Sequence, residues 1–258
     1  MSSSPYKKNV AIRMALHTAT LLLLCFCICT SPLSAQRVYA NAQQNDFTFL
    51  TCSVSNPLRA SDGDYINFST LSTIVAGFAW QNLQFTGVNK PISTTPIFVR
   101  ASTSLSLLAG TRIQPTNATA LVGTALTYVN GENNYGAPNV TYDGVRLYMT
   151  GVLGSINLYY AFFIVAPQVS DISVCTGFPA VLTIQNYQAG YTYKLYENTT
   201  EIAATLNTTT HTLTTASLTS TKNYHVVALE NGTNYPSGRT PVTVTVKPNP
   251  LIPSTSLQ

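Results

Sequence analysis

Few residues in this sequence have the type and spacing that chemistry needs. Beyond the first 40 residues the histidines are His211 and His225, both in predicted strands and neither in an H-E-x-x-H pair. No G-x-S-x-G elbow or phosphate-binding loop occurs. Asp62 and Asp64 stand close together, but two carboxylates on one turn make a poor acid and base, because glycosidase carboxylates flank a cleft. Read from the residues alone they form an Asp-Gly turn whose side chains cap backbone amides. The expectation is a protein that is not an enzyme. Its ligand candidates are aromatic: Tyr128, Tyr135 and Tyr142 lie in or beside the turn-rich segment 131–139, where a ring can stack on a sugar. Trp80, the sole tryptophan, adjoins Phe78 in an apolar run and is expected in the core.

What must position these residues is indicated by composition. The chain has 258 residues, enough for two domains, and only 9% are charged. Thr, Ser, Asn, Tyr and Gly replace the missing charge and favour strands and turns over long helices. The formal net charge is +4, but Lys7, Lys8 and Arg13 lie in a leader. Without the leader, 10 or 9 basic residues face 9 acidic ones, the smaller figure applying if Arg37 leaves as well. A nearly neutral chain lacks the basic stripe that phosphate backbones require, so nucleic acid is not an expected partner.

That leader reads as a secretory signal peptide over residues 1–35: a basic start, an apolar stretch from about Ala15 to Thr30, and the small-residue exit Ser31 to Ala35. Cleavage fits after Ala35 or after Ala40. The apolar stretch is shorter than the roughly 20 residues a membrane-spanning helix needs, so no transmembrane segment is expected in the mature chain. Cys25, Cys27 and Cys29 leave with the leader, and Cys52 and Cys175 remain. In an oxidising compartment they can bridge and tie two domains together; two separate thiols at strand starts is the alternative.

The mature sequence is all-β in pattern. Residues 41–45 are polar and read as loose. A first domain, 46–166, shows many short strands broken by Gly and Pro, which argues for a jelly roll or β-sandwich. Its last strand, Leu158 to Ala166, is continuously apolar and reads as buried on both faces. A second domain, 167–247, holds seven short strands, the arithmetic of an immunoglobulin-like sandwich, with Leu218 and Tyr224 spaced as in a tyrosine corner. Ala166-Pro167 reads as a hinge between independently folding domains. Residues 248–258 form a Pro-rich linker that weakly echoes the entry to the second domain, as if another repeat began there.

Two resemblances add to this. The segments CTGFPAVLTI, YTYKLYENTTEI, THTLTTASLTSTKNYHVVA and SGRTPVTVTV resemble the immunoglobulin-like repeats of secreted bacterial surface and adhesin-like proteins. Such repeats imply a spacer that holds another domain away from the cell. The second Cys that the family often carries after the penultimate strand is absent. In the first domain, ASDGDYINF resembles discoidin-like galactose-binding jelly rolls, with Asn67 and Ser69 where that family has Thr and Trp. That resemblance implies a structural Ca²⁺ held by Asp62, Asp64 and nearby carbonyls, a set of hard oxygen ligands; the plain turn stays open beside it.

The sequence thus leads to a secreted or cell-surface, non-catalytic binding or adhesion protein. A recognition domain, with a glycan or a host cell-surface protein as partner, sits on an immunoglobulin-like spacer. Weak sugar binding, insensitive to salt, is the corresponding expectation. The accessory front end of a larger secreted polysaccharide-degrading enzyme and a purely structural surface subunit are the alternatives.

Overall fold

The structure is a computed structural model that describes residues 37–48, 50–127 and 131–250. The leader and the end of the Pro-rich tail lie outside the described residues. The first domain is a single ten-stranded sheet, nearly closed like a barrel. Its strands are β1 (Arg37–Tyr39), β2 (Ala42–Phe47), β3 (Cys52–Ser55), β4 (Ser69–Thr73), β5 (Gly77–Gln84), β6 (Ile97–Asn117), β7 (Ala120–Leu121), β8 (Leu126–Thr127), β9 (Gly131–Tyr135) and β10 (Gly144–Ile164). Two segments differ from the sequence expectation. Residues 42–47 are an edge strand on β5, and 131–135 pair with β6 instead of forming a loop. In both, the backbone ladder supplies the structure while Gln, Asn and Glu side chains carry no alternating apolar signal.

β10 organises this domain. It pairs along its length with β6, and on its other edge with β5, then β4, then β1. Its alternation sets the inside. Val145, Leu147 and Met149 point into the core, then Ile156 and Leu158, then Ala161 and Phe163. The parity changes first around Leu153, which has a left-handed φ of 51°, and again at the register shift between Leu158 and Tyr160. Each irregularity rotates the following side chains to the opposite face, as β-bulges do. Gly144 starts the strand where a Cβ would lie 2.6 Å from the Leu83 carbonyl, so only glycine lets β5 and β10 approach there.

The second domain is an immunoglobulin-like sandwich. One sheet has the order β11 (Ile172–Cys175), β18 (Thr240–Lys247), β17 (Lys222–Glu230), β13 (Tyr191–Glu197), β14 (Thr200–Ile202). The other has β12 (Phe178–Thr183), β16 (Thr212–Leu218), β15 (Thr205–Asn207). The segment 200–207 is divided between the sheets, β14 joining one and β15 the other. Alternation buries Ala180 and Leu182, Tyr191, Tyr193 and Leu195, and Val242 and Val244 between the sheets. Leu218 and Tyr224 are both buried in this core, so Tyr224 is a packing residue.

The expected hinge at Ala166-Pro167 is a packed joint. Phe98, Tyr160, Phe162 and Ile164 project from the outside of the barrel and belong to the same buried cluster as the sandwich core. This explains the uninterrupted apolar run: its alternate residues fill the barrel while the others meet the second domain. Tyr235 packs against Phe98 with ring centroids 4.4 Å apart and the planes tilted by 32°. Arg37 forms a bidentate pair with Glu230, both bonds 2.6 Å, and its guanidinium lies 4.3 Å from the Phe162 ring centroid. The Thr94 hydroxyl accepts from the Arg239 amide and donates to the Arg239 carbonyl. A Cβ at Gly238 would collide with the Thr95 hydroxyl and the Ile92 side chain, so these side chains pack directly on the backbone of residue 238 because it is glycine.

Candidate binding face

The outer face of the barrel gathers aromatic rings and arginines that the sequence scatters over 70 positions. Three neighbouring strands build it. In the register, Trp80 of β5 lies opposite Tyr148 of β10, which lies opposite Arg112 of β6. The next outward row is Asn82, Arg146, Gln114; on the other side come Phe78, Thr150, Gly110. Alternation explains the grouping: Ala79 and Leu83 on β5, and Leu147 and Met149 on β10, fill the core, which turns Phe78, Trp80, Arg146 and Tyr148 outward. All four are half-buried, and Arg112 is exposed.

Side-chain stacking orders the face. The Arg146 guanidinium lies 3.8 Å from the Trp80 ring centroid and that of Arg112 lies 4.6 Å from Tyr148. Tyr148 in turn stacks on Phe78, with 6.1 Å between centroids and 14° between planes. A planar, weakly hydrated guanidinium suits such a ring, and stacking leaves its N–H groups free in their own plane. One Arg146 N–H donates to the Thr119 carbonyl at 2.7 Å. Its Nε is buried with no partner, as is Nδ2 of the neighbouring Asn82, whose Oδ1 accepts from Thr116. Burial holds the Arg146 guanidinium below its usual pKa. Two depressions run over these groups: a cleft of 60 Å³ lined by Trp80, Arg112, Gln114, Leu121, Arg146 and Tyr148, and a shallow groove of 370 Å³ that shares Arg112 and Tyr148 and continues along Gly110 and Thr150.

The residues singled out from the sequence lie elsewhere. Tyr142 is a core residue, 2% exposed, and its hydroxyl donates to the Thr95 carbonyl at 2.7 Å. No ring face is left for a ligand, and burial raises its phenol pKa. Tyr128 and the side chain of Tyr135 lie outside the described residues. Asp62 and Asp64 form a hydrogen-bonded turn: Asp62 Oδ1 accepts the Asp64 amide at 2.9 Å, and Asp64 accepts the Ile66 amide and the Asn67 side chain. Three of the four carboxylate oxygens of Asp62 and Asp64 thus accept hydrogen bonds within the turn, and Asn67 and Ser69 serve the turn and the sheet. Among the described residues no group of three His, Cys, Asp or Glu is placed to hold a metal ion.

Cys52 and Cys175 are free thiols. Cys52 is buried in the barrel core beside Gly77 and pairs with Thr73, whereas Cys175 ends β11 opposite Lys247 in the other domain. His211 stacks on Tyr187 and His225 lies on β17 opposite Pro241, so the histidines are on separate elements. Trp80, expected in the core, is instead the centre of the face. The signal that could have found it is the period of two in Val145-Arg-Leu-Tyr-Met-Thr150, which places Arg146, Tyr148 and Thr150 together on the side away from the core. A further cleft of 510 Å³ lies at the joint of the domains, lined by Val88, Lys90, Ile92, Pro167, Gln185 and Pro241 among others. It lacks stacked rings, which leaves the outer barrel face as the better-built candidate.

No helix among the described residues is long and apolar enough to cross a membrane. No curated protein matches this chain. Among solved structures, the glycoside hydrolase domain of Endo-D from Streptococcus pneumoniae R6 is similar with a TM-score of 0.32 and 15% identity, over 79% of this chain and 37% of that one. A β-1,2-glucanase from Parabacteroides distasonis is similar with a TM-score of 0.30 and 15% identity, over 84% of this chain and 37% of that one. The adhesin domain of Epf from Streptococcus pyogenes is similar with a TM-score of 0.27 and 9% identity, over 72% of this chain and 78% of that one. This chain therefore spans 37% of the length of the first two, and at such TM-scores the likenesses carry no argument about function. Residues 165–248, which span the whole C-terminal sandwich, match the family model described as Ig-like domain CHU_C associated.

Proposed function

We propose that this chain is a non-catalytic, secreted or cell-surface binding module in which the barrel recognises a glycan and the immunoglobulin-like domain acts as its spacer. The observation that carries this reading is the cluster of Trp80, Tyr148 and Phe78 on the solvent side of one rigid sheet, bordered by Arg112, Arg146 and Gln114. Rings give a sugar an apolar face to stack on, and fixed polar groups at their edges select its hydroxyls. A site built on strands holds its geometry better than one on loops. The immunoglobulin-like match at 165–248 supports the spacer role and the extracellular setting.

The test is a glycan array probed with the chain from Gln36 onward and with its Trp80→Ala and Tyr148→Ala variants. Binding by the parent and its loss in both variants, with unchanged melting temperatures, is the expected result. Undiminished binding by both variants would move the site elsewhere, and no binding by the parent to any glycan would remove the lectin-like reading.

A further inference from the structure

The charge on this face narrows the class of ligand. Among the described residues neither Arg112 nor Arg146 has a carboxylate within ion-pair distance; the ion pairs are Arg37–Glu230, Lys194–Glu201 and Lys222–Glu197. Two carboxylates sit on neighbouring backbone but are engaged locally. Asp46, opposite Trp80 on β2, accepts its own following amide from Phe47, and Asp143, just before β10, accepts the Ala118 amide through both oxygens. The chain has 9 acidic residues in all, so two arginines on one face without an acidic partner are not the by-product of a heavily charged surface.

Two buried donors lie beneath the same face. Arg146 Nε and Asn82 Nδ2 are both donors, both buried, both without an acceptor, and they belong to residues opposite each other in the β5–β10 register. Gln114, next in that row, donates one of its two amide N–H groups to the Gly123 carbonyl at 3.0 Å. Arg146 Nε and Asn82 Nδ2 are closed to solvent and so to a ligand; what the face offers a ligand is the exposed Arg112 and the half-buried Arg146 beside it. A neutral sugar hydroxyl brings a donor with each acceptor, whereas a carboxylate or sulfate brings acceptors alone. Each guanidinium is braced against a ring, so its fork is already oriented, and a bidentate contact costs less side-chain entropy than at a free arginine.

We infer that the face takes an acidic saccharide: a sugar ring against Trp80 and Tyr148, with its carboxylate or sulfate on Arg112 and Arg146. This deepens the proposed glycan recognition and rests on it. It also reverses the expectation of salt-insensitive binding, because an exposed guanidinium–anion contact is screened by salt.

The experiment uses the chain from Gln36 onward in titration calorimetry against three probes: an oligogalacturonate, a sulfated oligosaccharide of the chondroitin type, and a neutral cello-oligosaccharide. The two acidic probes distinguish carboxylate from sulfate. The expected result is tighter binding of at least one acidic probe than of the neutral one, weakened as NaCl is raised. Arg112→Gln and Arg146→Lys should each lower that affinity about tenfold, equivalent to about 1.4 kcal/mol. Arg146→Lys keeps the charge and removes the fork, so its loss identifies the bidentate contact. Lys90→Gln, at the domain joint, should change nothing; an equal loss there would mean binding by overall charge and overturn the inference. Neutral binding as strong as acidic binding, and sensitive to Trp80→Ala, would overturn the acidic assignment while leaving glycan recognition in place. Failure of all three probes together with an empty glycan array would overturn both.

Discussion

Position 142 illustrates how a residue's chemistry and its place diverge. A tyrosine beside a Gly- and Asn-rich segment has the composition of a binding loop, yet its ring fills the barrel and its hydroxyl holds the Thr95 carbonyl. Thr95 in turn closes a turn with Ile92 and touches Gly238 of the second domain. Tyr142 therefore supports the joint. Tyr142→Phe leaves that carbonyl buried without its donor, and the expected loss is about 1–3 kcal/mol of unfolding free energy in urea titration. A change under about 0.5 kcal/mol would show that the hydroxyl is dispensable. At Trp80 the divergence runs the other way, since an apolar neighbourhood in sequence became an outward aromatic shelf.

Among the elements, β1 is short but anchored. Arg37, Val38 and Tyr39 pair with Ile164, Phe163 and Phe162 at the end of β10, and Tyr39 stacks on Tyr65 with centroids 4.0 Å apart. Ala40, next in the chain, is buried in the barrel core. Of the two cleavage sites that the leader offers, the one after Ala40 would remove this strand and the Arg37–Glu230 pair; the one after Ala35 keeps both. Mass spectrometry of secreted protein should therefore show a chain beginning at Gln36, and a start at Asn41 would contradict it. A recombinant chain begun at Asn41 should lose about 2 kcal/mol through the charged hydrogen bonds alone, which lowers Tm by about 4–8 °C.

For the molecule as a whole, the barrel and the sandwich share one buried cluster, and a charged pair seals its edge. Burial alone would raise the Glu230 carboxyl, but hydrogen bonds from Arg37 and Thr233, with the Arg37 charge and Tyr191, hold it below its usual value. Burial and then the Glu230 charge push the Tyr191 phenol up to about 12, so it stays a neutral neighbour. Because the folded carboxyl is the stronger acid, its contribution is present in full above the ordinary glutamate value of 4.5 and is lost as pH falls through the lower folded value. Between about pH 6 and about pH 3, the melting temperature of the parent should fall more steeply than that of Glu230→Gln, in which this titration is absent. Parallel curves would show that the pair adds nothing to the joint.

The sequence by itself determined the β class, because Val, Thr and Tyr alternating with period two admit little else, and it placed the immunoglobulin-like strands within a few residues wherever core and surface positions alternate, as in Val242 to Val246. It also flagged 158–166 as buried on both faces. It did not show what covers the second face, since that depends on Phe162 and Tyr235 meeting across 73 residues of chain. The strands at 42–47 and 131–135 were hidden for a related reason: edge strands are held by backbone ladders, which polar side chains do not advertise. The binding face was legible only in part. Alternation turns Arg146 and Tyr148 outward, but that they stand beside Trp80 and Arg112 follows from the register of three strands, and register is fixed by long-range pairing and by the irregularities at Leu153 and Tyr159–Tyr160.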